Sequence, residues 1–124
     1  MKKIILAILV LAVLGLSLTG CQTGLGGYGW NPVGTWRLVS STYSGDSLSL
    51  GHRYIIKSNG SWEEIISENL ESSGTYEYDD EEIRLNATWS KSGTGMGIRR
   101  MNYDAATNEL AQQLSNYTRR FAKQ

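Results

Sequence analysis

Cysteine, proline, phenylalanine and histidine each occur once in these 124 residues. A single cysteine, Cys21, cannot form an internal disulfide, so the folded part must be held by packing alone. A single histidine, His52, with no cysteine spacing around it, provides no zinc-type ligand set, and no metal or cofactor is expected. The one proline, Pro32, fixes φ and removes a backbone donor, which marks Asn31-Pro32-Val33-Gly34 as a turn or short 3₁₀ segment. Long apolar runs are also scarce. The only one, Ile4 to Leu18, is interrupted by Gly15 and Ser17 and falls short of the roughly 20 residues that a spanning helix needs. Excess positive charge is absent too. Twelve acidic residues face twelve basic ones, and two of the latter, Lys2 and Lys3, stand at the extreme N-terminus. No basic field exists to attract nucleic acid.

What is present begins with those two lysines. Lys2-Lys3, the short apolar run and the small-residue exit Leu18-Thr19-Gly20-Cys21 have the layout of a cleaved signal segment. The stretch resembles the lipobox of a bacterial lipoprotein signal peptide. That resemblance implies a signal peptide over residues 1–20, cleavage before Cys21, and fatty acyl groups such as palmitate on its thiol and new amino terminus. Several acyl chains anchor a protein durably where one is marginal. The expected partner is therefore a membrane, held through the N-terminal lipid. Gln22 follows the cysteine where an Asp would mark inner-membrane retention in the enteric scheme, so the resemblance implies the cell envelope and its outer membrane.

Residues 21–31, CQTGLGGYGWN, are rich in Gly and small polar residues without periodicity, and read as a flexible tether. Residues 32–124 form one domain. All four Trp, all seven Tyr and the one Phe lie beyond the signal segment, a load that favours strands. Eight short strands are expected: Thr35–Tyr43, His52–Lys57, Ser61–Ser67, Gly74–Tyr78, Glu82–Trp89, Met96–Tyr103, Glu109–Leu114 and Tyr117–Lys123. Asn59-Gly60 is the clearest hairpin signal, because both residues tolerate positive φ. Period-2 alternation is plain at Trp36/Leu38, Tyr76/Tyr78, Ile83/Leu85/Ala87 and Leu110/Gln112/Leu114. At Arg99-Arg100 the phase breaks. A bulge there would bring Met96, Ile98, Met101 and Tyr103 to one face. Ala105–Gln113 is the helical rival, on composition. Eight sequential strands close most cheaply as an all-β, up-and-down antiparallel barrel, which leaves no open edge.

Gly34-Thr35-Trp36, at the start of the first strand after a short turn, resembles the lipocalin and wider calycin barrels. Asn59-Gly60-Ser61-Trp62 and Ser73-Gly74-Thr75-Tyr76 resemble the Gly-x-aromatic strand starts of short bacterial lipocalin-like lipoproteins. The resemblance implies that Trp36 closes one barrel end and that an arginine on the last strand packs across it. Alternation puts Arg119 on the face of Tyr117 and Phe121, so Arg119 is the expected cover. The chain is shorter than a full lipocalin and has no candidate for the flanking helix.

Other constellations have plain readings. His52 is expected at a strand start, exposed, without a nucleophile and carboxylate to make it a catalytic base. Asp79-Asp80-Glu81-Glu82 reads as a solvated turn, and its spacing is not that of an EF-hand. Gly93-Thr94-Gly95-Met96-Gly97 lacks the frame of a phosphate loop and reads as a loop at the barrel mouth. Tyr54, Trp62, Tyr76, Tyr78 and Tyr103 either fill the barrel or line a pocket for a small apolar ligand. Two non-catalytic expectations follow. One is a lipid-anchored carrier of such a ligand. The other is a filled barrel that contacts an envelope protein or the cell wall.

Overall fold

The computed structural model describes residues 29–124; the signal segment, Cys21 and the tether before residue 29 lie outside them. Residues 32–124 form a unit of their own. Its strands are β1 (Gly34–Ser41), β2 (Arg53–Ile56), β3 (Ser61–Ile66), β4 (Asn69–Tyr78), β5 (Glu82–Ser90), β6 (Gly97–Asp104), β7 (Glu109–Gln113) and β8 (Thr118–Lys123). They pair antiparallel in sequence order, and β8 closes on β1. The fold is thus the expected eight-stranded up-and-down barrel.

The turns explain the order. Gly60 has φ +88° and ends the tight β2–β3 connection, where Asn59 Oδ1 accepts from the Ser61 backbone N–H at 3.1 Å. Asp79 Oδ1 accepts from the backbone N–H groups of Glu81 and Glu82, both at 2.9 Å, which builds the β4–β5 turn. Asn108, at φ +54°, turns β6 into β7, so the helical rival over Ala105–Gln113 is a turn followed by a strand. Among the described residues, a 3₁₀ turn occurs at Leu48–Leu50 in the β1–β2 loop and not at Pro32.

Two strand expectations fail. β4 begins at Asn69, because Ser67 and Glu68 make the β3–β4 turn with φ +52° and +65°, and the polar stretch after them is strand. The bulge at Arg99-Arg100 does not exist. β6 runs in unbroken register with β5, which turns Ile98 outward at 62% exposure and Arg99 inward. The register shifts lie elsewhere: in β1 against β8, at Leu38/Ser40; between β3 and β4, at Glu64/Ile65; and between β4 and β5, at Ser73/Gly74.

The inner face carries the core. Trp36, Tyr54, Ile56, Trp62, Ile83, Leu85, Met101, Leu110 and Phe121 are all essentially inaccessible. Each such side chain contributes roughly 1.5–3 kcal/mol on leaving water. Tyr54 is the hub. Its ring centroid lies 5.1 Å from Phe121, nearly edge-on, and 5.9 Å from Trp62.

The two ends of the barrel differ. One end, here the turn end, holds the start of β1 and the β2–β3, β4–β5 and β6–β7 turns. The other, the loop end, holds the β1–β2, β3–β4, β5–β6 and β7–β8 connections. Polar inward residues collect toward the loop end.

Candidate functional site

The most chemically distinctive place in the barrel is a buried carboxylate. Alternation from Trp62 on β3 sends Glu64 into the interior, where only 10% of its side chain is exposed. An ionised carboxylate there needs donors. It has four: His52 Nε2 at 2.8 Å and the Tyr54 hydroxyl at 3.0 Å on Oε2, and the Ser72 hydroxyl and Arg99 Nη1, both at 2.7 Å, on Oε1. Ionised Glu64 only accepts, so His52 must carry its proton on Nε2. Burial by itself would raise the Glu64 carboxyl. The hydrogen bonds from His52, Arg99 and Ser72, with the Arg99 charge, outweigh burial and hold it far below the ordinary carboxylate range. Tyr54 moves the other way: burial, and then the Glu64 charge, push its hydroxyl well up.

Each donor has a local reason to be there. Glu64 and Ser72 are directly opposite in the β3–β4 register, as are Tyr54 and Glu64 in β2–β3. Arg99 comes from β6, which does not neighbour β3, and so bridges the interior. Its Nη2 also donates to the Gly95 carbonyl at 3.3 Å, and its guanidinium lies 5.5 Å over the Trp62 ring. His52 is 6% exposed, contrary to the expected exposed position. Its ring packs edge-on against Phe121 at 5.3 Å and tilted against Tyr54 at 5.5 Å.

A second ion pair lies toward the same end. Asp46, from the β1–β2 loop, receives Arg119 Nε and Nη2, each at 2.8 Å, and the Ser41 hydroxyl at 2.6 Å. The hydrogen bond from Arg119 draws the Asp46 carboxyl down to about 2 against the pull of burial. Gln112 faces inward opposite Arg119, and its buried Oε1 has no hydrogen-bond partner among the described residues.

The expected site residues are dispersed. Tyr54 and Trp62 sit side by side in the core. Tyr76 and Tyr78 adjoin each other at 6.4 Å near the turn end, the Tyr76 hydroxyl donating to the Lys57 carbonyl at 2.8 Å. The Tyr103 hydroxyl donates to Asn108 Oδ1 at 3.1 Å in the β6–β7 turn. These five do not surround one pocket. Trp36 is fully buried near the turn end, and its indole N–H donates to the Pro32 carbonyl at 2.8 Å. The expected Arg119 cover over Trp36 is corrected by the register. Lys123 pairs with Trp36 across β1–β8 and holds its ammonium 5.5 Å over that ring, whereas Arg119 pairs with Ser41 and lies over Tyr117 at 5.2 Å.

The cluster's chemistry is bounded by its bonds. Ser72 donates to Glu64 and not to His52, so no hydroxyl–imidazole nucleophile pair is formed. Among the described residues, no group of three or more His, Cys, Asp or Glu is placed to hold a metal ion. A shallow cleft of about 230 Å³ lies on the outer wall, lined by Thr75, Tyr76, Glu77, Arg84, Asn86 and Ile98. Residue reasoning missed Glu64 and Arg99. Glu64 had a usable signal in its alternation with Trp62; Arg99 had none that named its partner.

No family model, curated protein or solved structure matches this chain.

Proposed function

We propose that this chain is a lipid-anchored protein of the bacterial envelope, held at the outer membrane through Cys21, whose barrel is a filled, non-catalytic interaction module. The observation that carries this reading is the interior. Tyr54 occupies its centre in ring contact with both Trp62 and Phe121, and Glu64 spends its hydrogen-bonding capacity on four donors of the same chain. Such a core leaves the surface for recognition. The anchor rests on the Leu18-Thr19-Gly20-Cys21 resemblance.

One observation favours the carrier reading, in which a small apolar ligand bearing a hydrogen-bond donor enters the barrel. Gln112 Oε1 is a buried acceptor without a donor. Tryptophan fluorescence of the soluble chain from Gln22 onward, titrated with fatty acids and an apolar dye, separates the two. No saturable change in a cooperatively folded protein is the expected result. A saturable micromolar response overturns the filled barrel in favour of a carrier. Metabolic labelling with a palmitate analogue, lost in Cys21→Ala, tests the anchor.

A further inference from the structure

We infer that the shallow cleft on the outer wall is a binding site for a neutral saccharide. The inference deepens the interaction-module reading and rests on it. Strand register makes the cleft one continuous surface. Thr75, Asn86 and Ile98 are direct neighbours across β4, β5 and β6, and Glu77, Arg84 and Arg100 are the next outward row. Period-2 alternation turns both rows away from the core. Thr75 and Asn86 are shorter than the Glu77, Arg84 and Ile98 side chains around them, which leaves the hollow of about 230 Å³.

The floor of the cleft is clamped from behind. The Trp62 indole N–H donates to the carbonyls of both Thr75 and Asn86, at 2.9 and 3.3 Å. The Tyr76 N–H donates to the Gly60 carbonyl at 3.1 Å, and the Tyr76 hydroxyl to the Lys57 carbonyl at 2.8 Å. The floor side chains themselves are unspent. Among the described residues, nothing bonds to the Thr75 hydroxyl or the Asn86 amide. Polar groups held ready on a fixed backbone lose little freedom on binding.

The pattern of donors and acceptors selects the ligand. Arg84 Nη1 is taken by Asp79 at 3.0 Å and Glu82 at 2.9 Å, whereas its Nη2 stands 4.0 Å from Glu77, too far for a hydrogen bond. One atom that accepts from Arg84 and donates to Glu77 bridges them. A hydroxyl does both, whereas a peptide N–H only donates and a carbonyl only accepts. Thr75 and Asn86 likewise offer donors and acceptors together. A peptide strand also finds no free edge to extend, because the barrel is closed. Charge disfavours ions. Arg84 and Arg100 stand among Glu77, Asp79 and Glu82, so an anion meets an excess of carboxylate and a cation meets Arg84 in the wall. Ile98, 62% exposed, supplies the apolar contact that a sugar's C–H face or N-acetyl methyl takes.

The inaccessible core side chains, Trp36 to Phe121, all lie within residues 32–124, so the soluble chain from Gln22 onward is a fair test object. Amide NMR spectra titrated with chitotetraose, a neutral N-acetylated sugar, are expected to show shifts at Thr75, Asn86 and Ile98 with a Kd of about 1 mM, the strength of a few hydrogen bonds and a small apolar contact. Asn86→Ala and Ile98→Ser are each expected to weaken binding about fivefold, with unchanged near-ultraviolet circular dichroism. Asn102→Ala, exposed on β6 but off the cleft, is expected to leave binding unaltered. No shift at about 20 mM sugar overturns the inference. Shifts that ignore both cleft variants overturn it too, and so do shifts matched by a tetrapeptide of glycine and alanine, which assign the cleft to peptide. The fatty-acid titration on the same samples keeps the two failures apart. Silence toward both sugar and fatty acid sinks only the saccharide inference, whereas a saturable fatty-acid response sinks the filled-barrel reading.

Discussion

Glu64 Oε1 and Arg99 Nη1 lie 2.7 Å apart inside the barrel, on strands that do not neighbour each other. The pair spans the interior as backbone ladders cannot, because those join only adjacent strands. Removing one partner of a buried pair leaves an uncompensated charge, which costs about 3–5 kcal/mol, while replacing both with apolar groups is often neutral. Arg99→Met is therefore expected to lose about 3–5 kcal/mol in urea denaturation, and Glu64→Gln/Arg99→Met to recover part of it, because the neutral amide keeps partners for His52, Tyr54 and Ser72 while no charge is left unpaired. A double variant as unstable as the single one would show that the loss comes from packing over Trp62 and not from a stranded carboxylate.

The two ion pairs also set the acid response. Asp46 is drawn down to about 2, chiefly by Arg119, and Glu64 is held lower than its ordinary range despite burial. Both folded-state values lie below the unfolded ones, so the unfolded chain binds more protons through the acid range and stability rises with pH there. The contribution is complete above about pH 5 and is lost progressively as pH falls toward 2. Asp79, drawn down to about 2 first by the Glu81 backbone N–H, adds to the same window. Urea midpoints measured from pH 7 to pH 2.5 are expected to fall steeply below about pH 4, and Asp46→Asn to flatten part of that slope. An unchanged slope in Asp46→Asn would remove Asp46 from the account.

Among the described glycines, Gly74 leaves the least room for a Cβ. A Cβ there would lie 1.8 Å from the Asn86 carbonyl oxygen and 3.0 Å from the Thr88 backbone nitrogen. Backbone cannot rotate away as a side chain can, so β4 and β5 would have to part at their register shift. The Trp62 indole N–H, which donates to Thr75 O at 2.9 Å and Asn86 O at 3.3 Å, would lose its seat at the same time. Gly74→Ala is expected to cost about 3 kcal/mol or more, at the upper end of overpacking effects. Gly60→Ala, with open space around its Cβ, pays only for its positive φ and is the comparison. Equal losses at the two positions would sink the close-approach explanation.

The barrel was legible because its signals are local. Alternation at Trp36/Leu38 and Ile83/Leu85/Ala87 and the Asn59-Gly60 turn each need only a few adjacent residues, and eight such runs in sequence leave one economical closure. The failures have two causes, polar residues serving the interior and register. Ser72 and Ser73 read as loop because serine has no apolar signature, yet Ser72 is in a strand, 1% exposed and bonded to Glu64. The expected bulge at Arg99-Arg100 gathers Met96, Ile98, Met101 and Tyr103 on one face, whereas the unbroken β5–β6 register puts Arg99 inward and Ile98 outward. The partner of Arg99 is 35 positions away and cannot be found by spacing. Arg119 was assigned to Trp36 by family resemblance, whereas the register of β8 on β1 puts Lys123 there. Register is a long-range property, fixed by the turns and by how many residues each strand spends on bulges.

Gln112 offers the sharpest test of whether the interior is self-sufficient. It is 7% exposed, inward on β7 opposite Arg119, and its Oε1 has no donor. Leaving a buried acceptor unmade costs about 1–3 kcal/mol, and an apolar group of similar shape removes that cost. Methionine matches glutamine in length and adapts to irregular space. In a barrel that is filled and complete, Gln112→Met is expected to gain about 1 kcal/mol and to raise Tm by about 4–8 °C in calorimetry. If a donor from outside the chain completes the site, the same substitution destroys a real hydrogen bond and Tm falls. A fall restored toward the parent value by Gln112→Glu would locate the acceptor as the essential atom. It would also point to a donor outside the described residues, an ordered water or a bound molecule.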